Sequence, residues 1–210
     1  MYIKTESVIK CLTQLQNAPF HYIILRNTEG ELPSRLAPFK DIDLLIKKSD
    51  RSQALDYFHK LGYHLIIHPW SKVTKDVGVT EFDFLKNDEN LILDINYELV
   101  FCNFERSKFQ LHSEFLQNEI WKSSRILSIG GVEINYIGCE LEFIISAARC
   151  IIDKRKMTAW NFSRLCYLYN SIGNIKTVET ALQVIFKDRF TEVINVFEVG
   201  VWDDSVILET

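Results

Sequence analysis

Several features that would assign a chain to a class at sight are missing here. With a formal net charge of −4 and a pI near 5.8, the chain has no basic excess for gripping an extended duplex, and a small or already cationic partner fits better. The five cysteines, Cys11, Cys102, Cys139, Cys150 and Cys166, form no CxxC pair, and their odd number opposes a closed disulfide framework, so they read as reduced core residues. The most apolar later stretch, Phe143 to Ile152, is interrupted by Arg149 and is too short to span a bilayer. Charges also break the first residues, Met1 to Ser7, where a secretion signal needs an apolar run, and the expectation is a cytoplasmic protein with no membrane span. The P-loop, the GxSxG elbow and the HExxH helix are absent, which leaves P-loop hydrolysis, common serine-hydrolase chemistry and zincin chemistry without support. There is no internal repeat and no low-complexity segment.

What remains is the composition of a folded protein, 47% apolar and 25% charged over 210 residues. That length suits one domain, or a catalytic core with a helical appendage. The expected division is a core over 1–103 and a hairpin and helical region over 104–210 packed on it. Ile3, Val8, Ile9, Leu12 and Leu15 predict an amphipathic helix that Pro19 ends. His21 to Leu25 reads as a buried strand. Gly30, Pro33, Ser34 and Pro38 then oppose regular structure from Asn27 to Lys40, giving a long and flexible loop of the kind that often carries function. Asp41 to Ile46 is a second strand, and Asp50 is placed to cap a helix through Leu55, Phe58 and Leu61 that Gly62 stops. Strands are expected at 64–67, 79–85 and 91–99, a helix around 114–120, and a hairpin over 125–137 turning at Gly130-Gly131. The remainder reads as helices, with apolar stripes at Leu141 to Ile152, Phe162 to Leu168, 176–187 and 190–199. The fold class is α+β, a mixed sheet flanked by helices with a C-terminal helical region.

Chemistry concentrates in the acids. Residues i and i+2 of a strand share one face about 6.5 to 7 Å apart, so Asp41 and Asp43 project together. Two such carboxylates repel unless a cation such as Mg²⁺ or Mn²⁺ compensates them. Asp94 interrupts the apolar run Leu91 to Tyr97, and an uncompensated charge there is costly to bury, which makes it the candidate third ligand. Asp83, with Glu81 on the same strand face, is the alternative third ligand. The plain reading of Asp41 and Asp43 is an exposed strand face alternating acidic and apolar residues. The order of elements around them favours metal binding instead.

That order resembles the uncharacterised nucleotidyltransferase families of the polymerase-beta-like superfamily. The likeness rests on Tyr22-Ile23-Ile24-Leu25-Arg26-Asn27, on Glu29 to Pro33, on Asp41-Ile42-Asp43-Leu44-Leu45-Ile46, on Lys60-Leu61-Gly62-Tyr63 and on Leu93 to Leu99. It covers residues 20 to 100 and, more loosely, the helices after 139. The resemblance implies that Asp41 and Asp43 hold two divalent ions, Mg²⁺ or Mn²⁺, and that Asp94 completes one site and helps deprotonate an acceptor hydroxyl. It implies transfer of a nucleotidyl group from an NTP to a small-molecule or sugar hydroxyl, and a place in cell-surface polysaccharide metabolism. The superfamily usually carries Gly-Ser after its first strand; this chain has Arg26-Asn27. Arg26 is suited to grip phosphate with its planar fork, with Asn27 or Thr28 donating beside it, and equally suited to pair with a nearby carboxylate. Lys40 either neutralises phosphate or solubilises a strand edge, and Arg35 is a weaker candidate.

Other features point elsewhere less strongly. His64 and His68 have helical ligand spacing on a predicted strand, so zinc is not expected. Lys154, Arg155 and Lys156 read as a solvated helix end, and Trp160, Arg164 and Tyr167 as a packed helix face. Two functions compete with the enzyme: a noncatalytic nucleotide- or anion-binding module in which Arg26-Asn27 has ended triphosphate use, and a glycosyltransferase using Asp-x-Asp. The acidic pair follows only one strand, too early for the nucleotide-binding region that a glycosyltransferase needs.

Overall fold

The computed structural model describes residues 2–26, 31–38, 40–66, 82–102, 108–110 and 114–202. Helix α1, Thr5–Gln16, forms where Val8, Cys11, Leu12 and Leu15 recur three and four residues apart, and all four are buried. Strands β1 (Tyr22–Ile24) and β2 (Asp41–Ile46) follow, then α2 (Arg51–Lys60), β3 (His64–Ile66), β4 (Phe82–Lys86) and β5 (Ile92–Asn96). After β6 (Val100–Cys102), β7 (Lys108–Gln110) and α3 (Glu114–Ser123), the expected hairpin appears as β8 (Arg125–Ile129) and β9 (Val132–Tyr136). Its two-residue turn needs positive φ at both positions, which Gly130 (58°) and Gly131 (83°) supply. Helices α4 (Cys139–Ala148), α5 (Ala159–Asn170), α6 (Ile175–Phe186) and α7 (Phe190–Val199) follow, with a π-helical turn, Arg149–Asp153, extending α4 where one continuous helix is expected.

Among the described residues, seven strands form one mixed sheet in the order β3-β4-β5-β2-β1-β9-β8. Strands β2 and β5 run parallel, as do β1 and β9, and the other neighbours are antiparallel. The alternation of β2 sorts its residues by face. Ile42, Leu44 and Ile46 enter a core with Leu93 and Ile95 of β5, Tyr22 and Ile24 of β1, α1, and Ala54 and Phe58 of α2. Asp41, Asp43 and Leu45 take the other face.

The chain divides into two compact units, Met1–Leu99 with Ser124–Ile137, and Val100–Ser123 with Gly138–Thr210. The hairpin grouped by sequence with the C-terminal helices therefore lies in the first unit. Its local pairing is visible from Gly130-Gly131, but the parallel partner that captures it, β1, lies far earlier in the chain. In the second unit, Phe143 and Phe197 meet edge to face at 5.0 Å, and buried Glu142 accepts from Arg164 at 2.7 Å.

Two local expectations change. Asp50 precedes α2 but does not cap it; its carboxylate accepts from the His21 amide at 3.1 Å and from the Ser49 hydroxyl at 2.8 Å, tying the helix start to the entry of β1. Among the described residues of the segment after β1 there is no regular strand or helix, in keeping with its prolines, yet Leu32 and Leu36 are buried in the sheet core and the Ile3 amide donates to the Leu36 carbonyl at 2.8 Å. Two leucines at helical spacing outweigh the breakers around them.

Phe58 is fully buried, with the rings of Phe20, Tyr57 and Tyr63 centred 5.3 to 5.7 Å away. Phe58→Ala should cost about 3–5 kcal/mol in urea unfolding, since packed neighbours relax only partly into the cavity. A loss under about 1 kcal/mol would show that this cluster does not hold α2 to the sheet.

Candidate active site

The parallel register of β2 and β5 sets Asp43 directly beside Asp94 and Asp41 beside Ile92. Directly paired residues share a face, so the i, i+2 pair of one strand acquires its third member from the next. One carboxylate oxygen from each of Asp41, Asp43 and Asp94 lies within 4.8 Å of the others. Asp43 is 3% exposed; Asp41 and Asp94 are half-buried.

Arg26 reaches this cluster from the end of β1. The Leu25 amide still donates to the Asp43 carbonyl at 2.9 Å, and strict alternation would then turn Arg26 away. Instead the chain bends at Arg26, and its guanidinium donates to Asp43 Oδ1. Arg26 thus makes the carboxylate contact that is one of its two sequence readings. Asn96, two residues beyond Asp94 on the same face, donates to Asp94 Oδ1 at 3.3 Å. Sequence reasoning passed over Asn96, although its i+2 spacing from Asp94 was a usable signal.

Burial dominates the electrostatics. It raises the Asp43 carboxyl to about 6, against the opposing pull of Arg26 and with repulsion from Asp41 adding to it. Asp94 is raised well above the ordinary carboxylate range by burial first and then by Asp43 and Asp41. For Arg26 burial works toward losing the proton, but attraction to Asp43, Asp41 and Asp94 outweighs it and the guanidinium holds its charge more firmly. Three converging hard oxygen donors, short of positive charge, fit a divalent cation such as Mg²⁺ or Mn²⁺.

The other candidates fall outside the cluster. Asp83, the alternative third ligand, pairs with Ile95 in register and so faces the opposite side of the sheet. There it accepts from Tyr97 Oη at 2.8 Å and lies 3.4 Å from Arg51 Nε, whose guanidinium sits over the Tyr97 ring. Lys40 donates to Glu31 at 2.8 Å, and Arg35 is exposed. Asn27, Thr28, His68 and Glu81 lie outside the described residues. The expected packing of Trp160 and Tyr167 is corrected: they are 68% and 54% exposed, with Arg164 stacked over Tyr167 and drawn toward buried Glu142. Cys11, Cys139, Cys150 and Cys166 are in no disulfide.

No protein-family model matches the chain, and no curated protein matches it. Solved structures do. The antibiotic-resistance factor ANT(2'')-Ia, determined in solution, superposes with a TM-score of 0.51 at 12% identity over 94% of this chain and 97% of that one. The lincosamide antibiotic adenylyltransferase LnuA, with lincomycin bound, gives 0.48 at 15% identity over 82% and 100%. An antigenic nucleotidyltransferase-like protein from Paracoccidioides brasiliensis gives 0.47 at 13% identity over 96% and 95%. At such identities the likeness is one of architecture: the chain shares the mixed-sheet fold of ANT(2'')-Ia.

Proposed function

We propose that this protein is a metal-dependent nucleotidyltransferase that moves a nucleotidyl group from an NTP to the hydroxyl of a small molecule or sugar. The observation that carries the reading is the convergence of Asp41, Asp43 and Asp94 on one sheet face. Asp41 and Asp43 are the residues to hold a divalent cation, Mg²⁺ or Mn²⁺, with Asp94 completing the set. Such an ion, when bound, supplies positive charge to the triphosphate and lowers the pKa of an acceptor hydroxyl. Asp94 takes the proton as the hydroxyl oxygen bonds to the α-phosphorus, and the bond to the β,γ-pyrophosphate breaks. Arg26, Asn27, Thr28 and Lys40 are assigned to the phosphate side, where Arg26 brings a planar fork.

The net charge of −4 supports a small acceptor over an extended nucleic acid. Among the described residues no helix is long and apolar enough to cross a membrane, and we place the reaction in the cytoplasm, on a sugar-containing acceptor for cell-surface polysaccharide. One observation favours the noncatalytic anion-binding module as second reading: Arg26, standing where the superfamily carries Gly-Ser, is already held by Asp43.

Asp41→Asn, Asp43→Asn and Asp94→Asn should each leave the protein folded and weaken Mn²⁺-dependent ribonucleotide binding, measured by calorimetry, by more than the roughly 10–100-fold that loss of an outer-shell partner causes. Turnover to pyrophosphate should vanish with it. Metal-dependent binding that survives in all three variants would remove the site assignment, whereas nucleotide binding without turnover in the unmutated protein would select the second reading.

The pH dependence has a definite sign. Asp43 has its folded pKa raised to about 6 from an unfolded 3.8, so its ionisation penalises the metal-free fold at pH 7, and the penalty fades as pH falls through about 6 toward 4; Asp94, raised by burial and by the neighbouring acids, acts in the same direction. Without metal, the contribution of these groups to Tm should therefore rise on acidification. The added Tm from Mg²⁺ should be largest near pH 7–8 and shrink below about 6, because protons compete for the same oxygens. A Mg²⁺ increment independent of pH would place the ion elsewhere.

A further inference from the structure

We infer that Arg26 is a built-in counter-cation of the acidic cluster, which an entering divalent ion displaces from Asp43 and which then becomes available to the triphosphate. The inference rests on the nucleotidyltransferase reading and adds to it a role for the residue pair that departs from the superfamily pattern.

The geometry leads there in steps. Asp43 is the most buried of the three acids and lies between the other two in the arrangement, beside Asp94 on the neighbouring strand and two residues from Asp41 on its own. The Arg26 guanidinium donates to its Oδ1, and its charge is close enough to be held by Asp41 and Asp94 as well. A dication approaching those oxygens meets a like charge in contact with the central ligand, and at such separations in a partly covered site the repulsion is substantial. The hydrogen bond from Arg26 also uses a lone pair of Oδ1, one of the two oxygens that Asp43 can offer an ion. Metal entry and the Arg26–Asp43 contact are therefore in opposition.

The backbone permits the exchange. Arg26 lies beyond the β1 ladder: among the described residues the last bond from this strand to β2 is made by Leu25, and the chain bends at Arg26. Its side chain retains 21% exposure, against 4% for Asp43, so it has a path outward while its partner has none. A guanidinium released from a carboxylate has the same planar donor fork for phosphate oxygens. The residue that guards the vacant acids thus becomes a donor for the substrate's anionic end, and ordered binding follows: the metal frees the arginine, and the arginine favours the nucleotide.

The test is Mn²⁺ affinity without nucleotide, read by electron paramagnetic resonance, in the unmutated protein and in Arg26→Gln, Arg26→Ala, Asp43→Asn and Asp94→Asn. Removing the guanidinium should tighten Mn²⁺ by about tenfold, within the roughly 5–150-fold span of ordinary site–site couplings, and weaken a non-hydrolysable triphosphate by a similar factor. Arginine-labelled NMR of the unmutated protein, which needs no folding of a variant, should show the Arg26 side-chain signal moving from its carboxylate-bound position on adding Mg²⁺ alone. Mn²⁺ affinity unchanged or weaker in both Arg26 variants, with an Arg26 signal that ignores Mg²⁺, overturns the inference while loss of Mn²⁺ in Asp43→Asn and Asp94→Asn keeps the enzyme reading. Absence of Mn²⁺ binding in every form overturns both.

Discussion

The structure depends on the parallel pairing of β2 with β5. That one register decides which face of each strand is apolar, and it brings an acid from a distant segment against the Asp41 and Asp43 pair. Moved by one residue, Asp43 would meet an aliphatic neighbour and the cluster would lose its third member. The helices α1 and α2, covering the opposite face, hold the register by burying Ile42, Leu44, Leu93 and Ile95 together. Core packing and site assembly are two faces of the same constraint.

Gathering like charges in a buried place is unfavourable by itself, and the raised carboxyl pKa values of Asp43 and Asp94 express that. Arg26 relieves part of it. The site is therefore poised: stable enough to form, and still short of positive charge. An active site with affinity for cations needs both conditions, since a fully neutralised cluster has no pull on a ligand and an uncompensated one opposes folding.

Much of this was legible in the sequence where the signal is local. The alternation of Asp41-Ile42-Asp43-Leu44 fixed the shared face, the apolar surroundings of Asp94 marked it as a charge needing a partner, and the stops at Pro19, Gly62 and Gly130-Gly131 placed element ends. What was hidden depended on pairing between distant segments. Asp83 and Asp94 look alike as acids in strands, and only the β4–β5 register separates the one held by Tyr97 and Arg51 from the one in the cluster. The parallel capture of β9 by β1 has no local mark, nor does the bend that turns Arg26 back to Asp43. Leu32 and Leu36 were obscured by the prolines beside them, and Asp50 by the general preference of aspartate for helix caps.

The Asp83–Tyr97–Arg51 group has a consequence for how the chain avoids error. It puts a charged anchor on the apolar side of β4 and β5, opposite the acids that line the other side. A sheet sorted only by oil and water tolerates a slip of two residues, because parity is preserved. Here a two-residue slip of β4 against β5 that set Asp83 beside Leu93 would carry it away from Tyr97 and leave its charge among aliphatic neighbours. The strand that presents Asp94 is thereby proofread at odd offsets by its two unlike faces and, in that one direction, at the even offset that parity alone would pass.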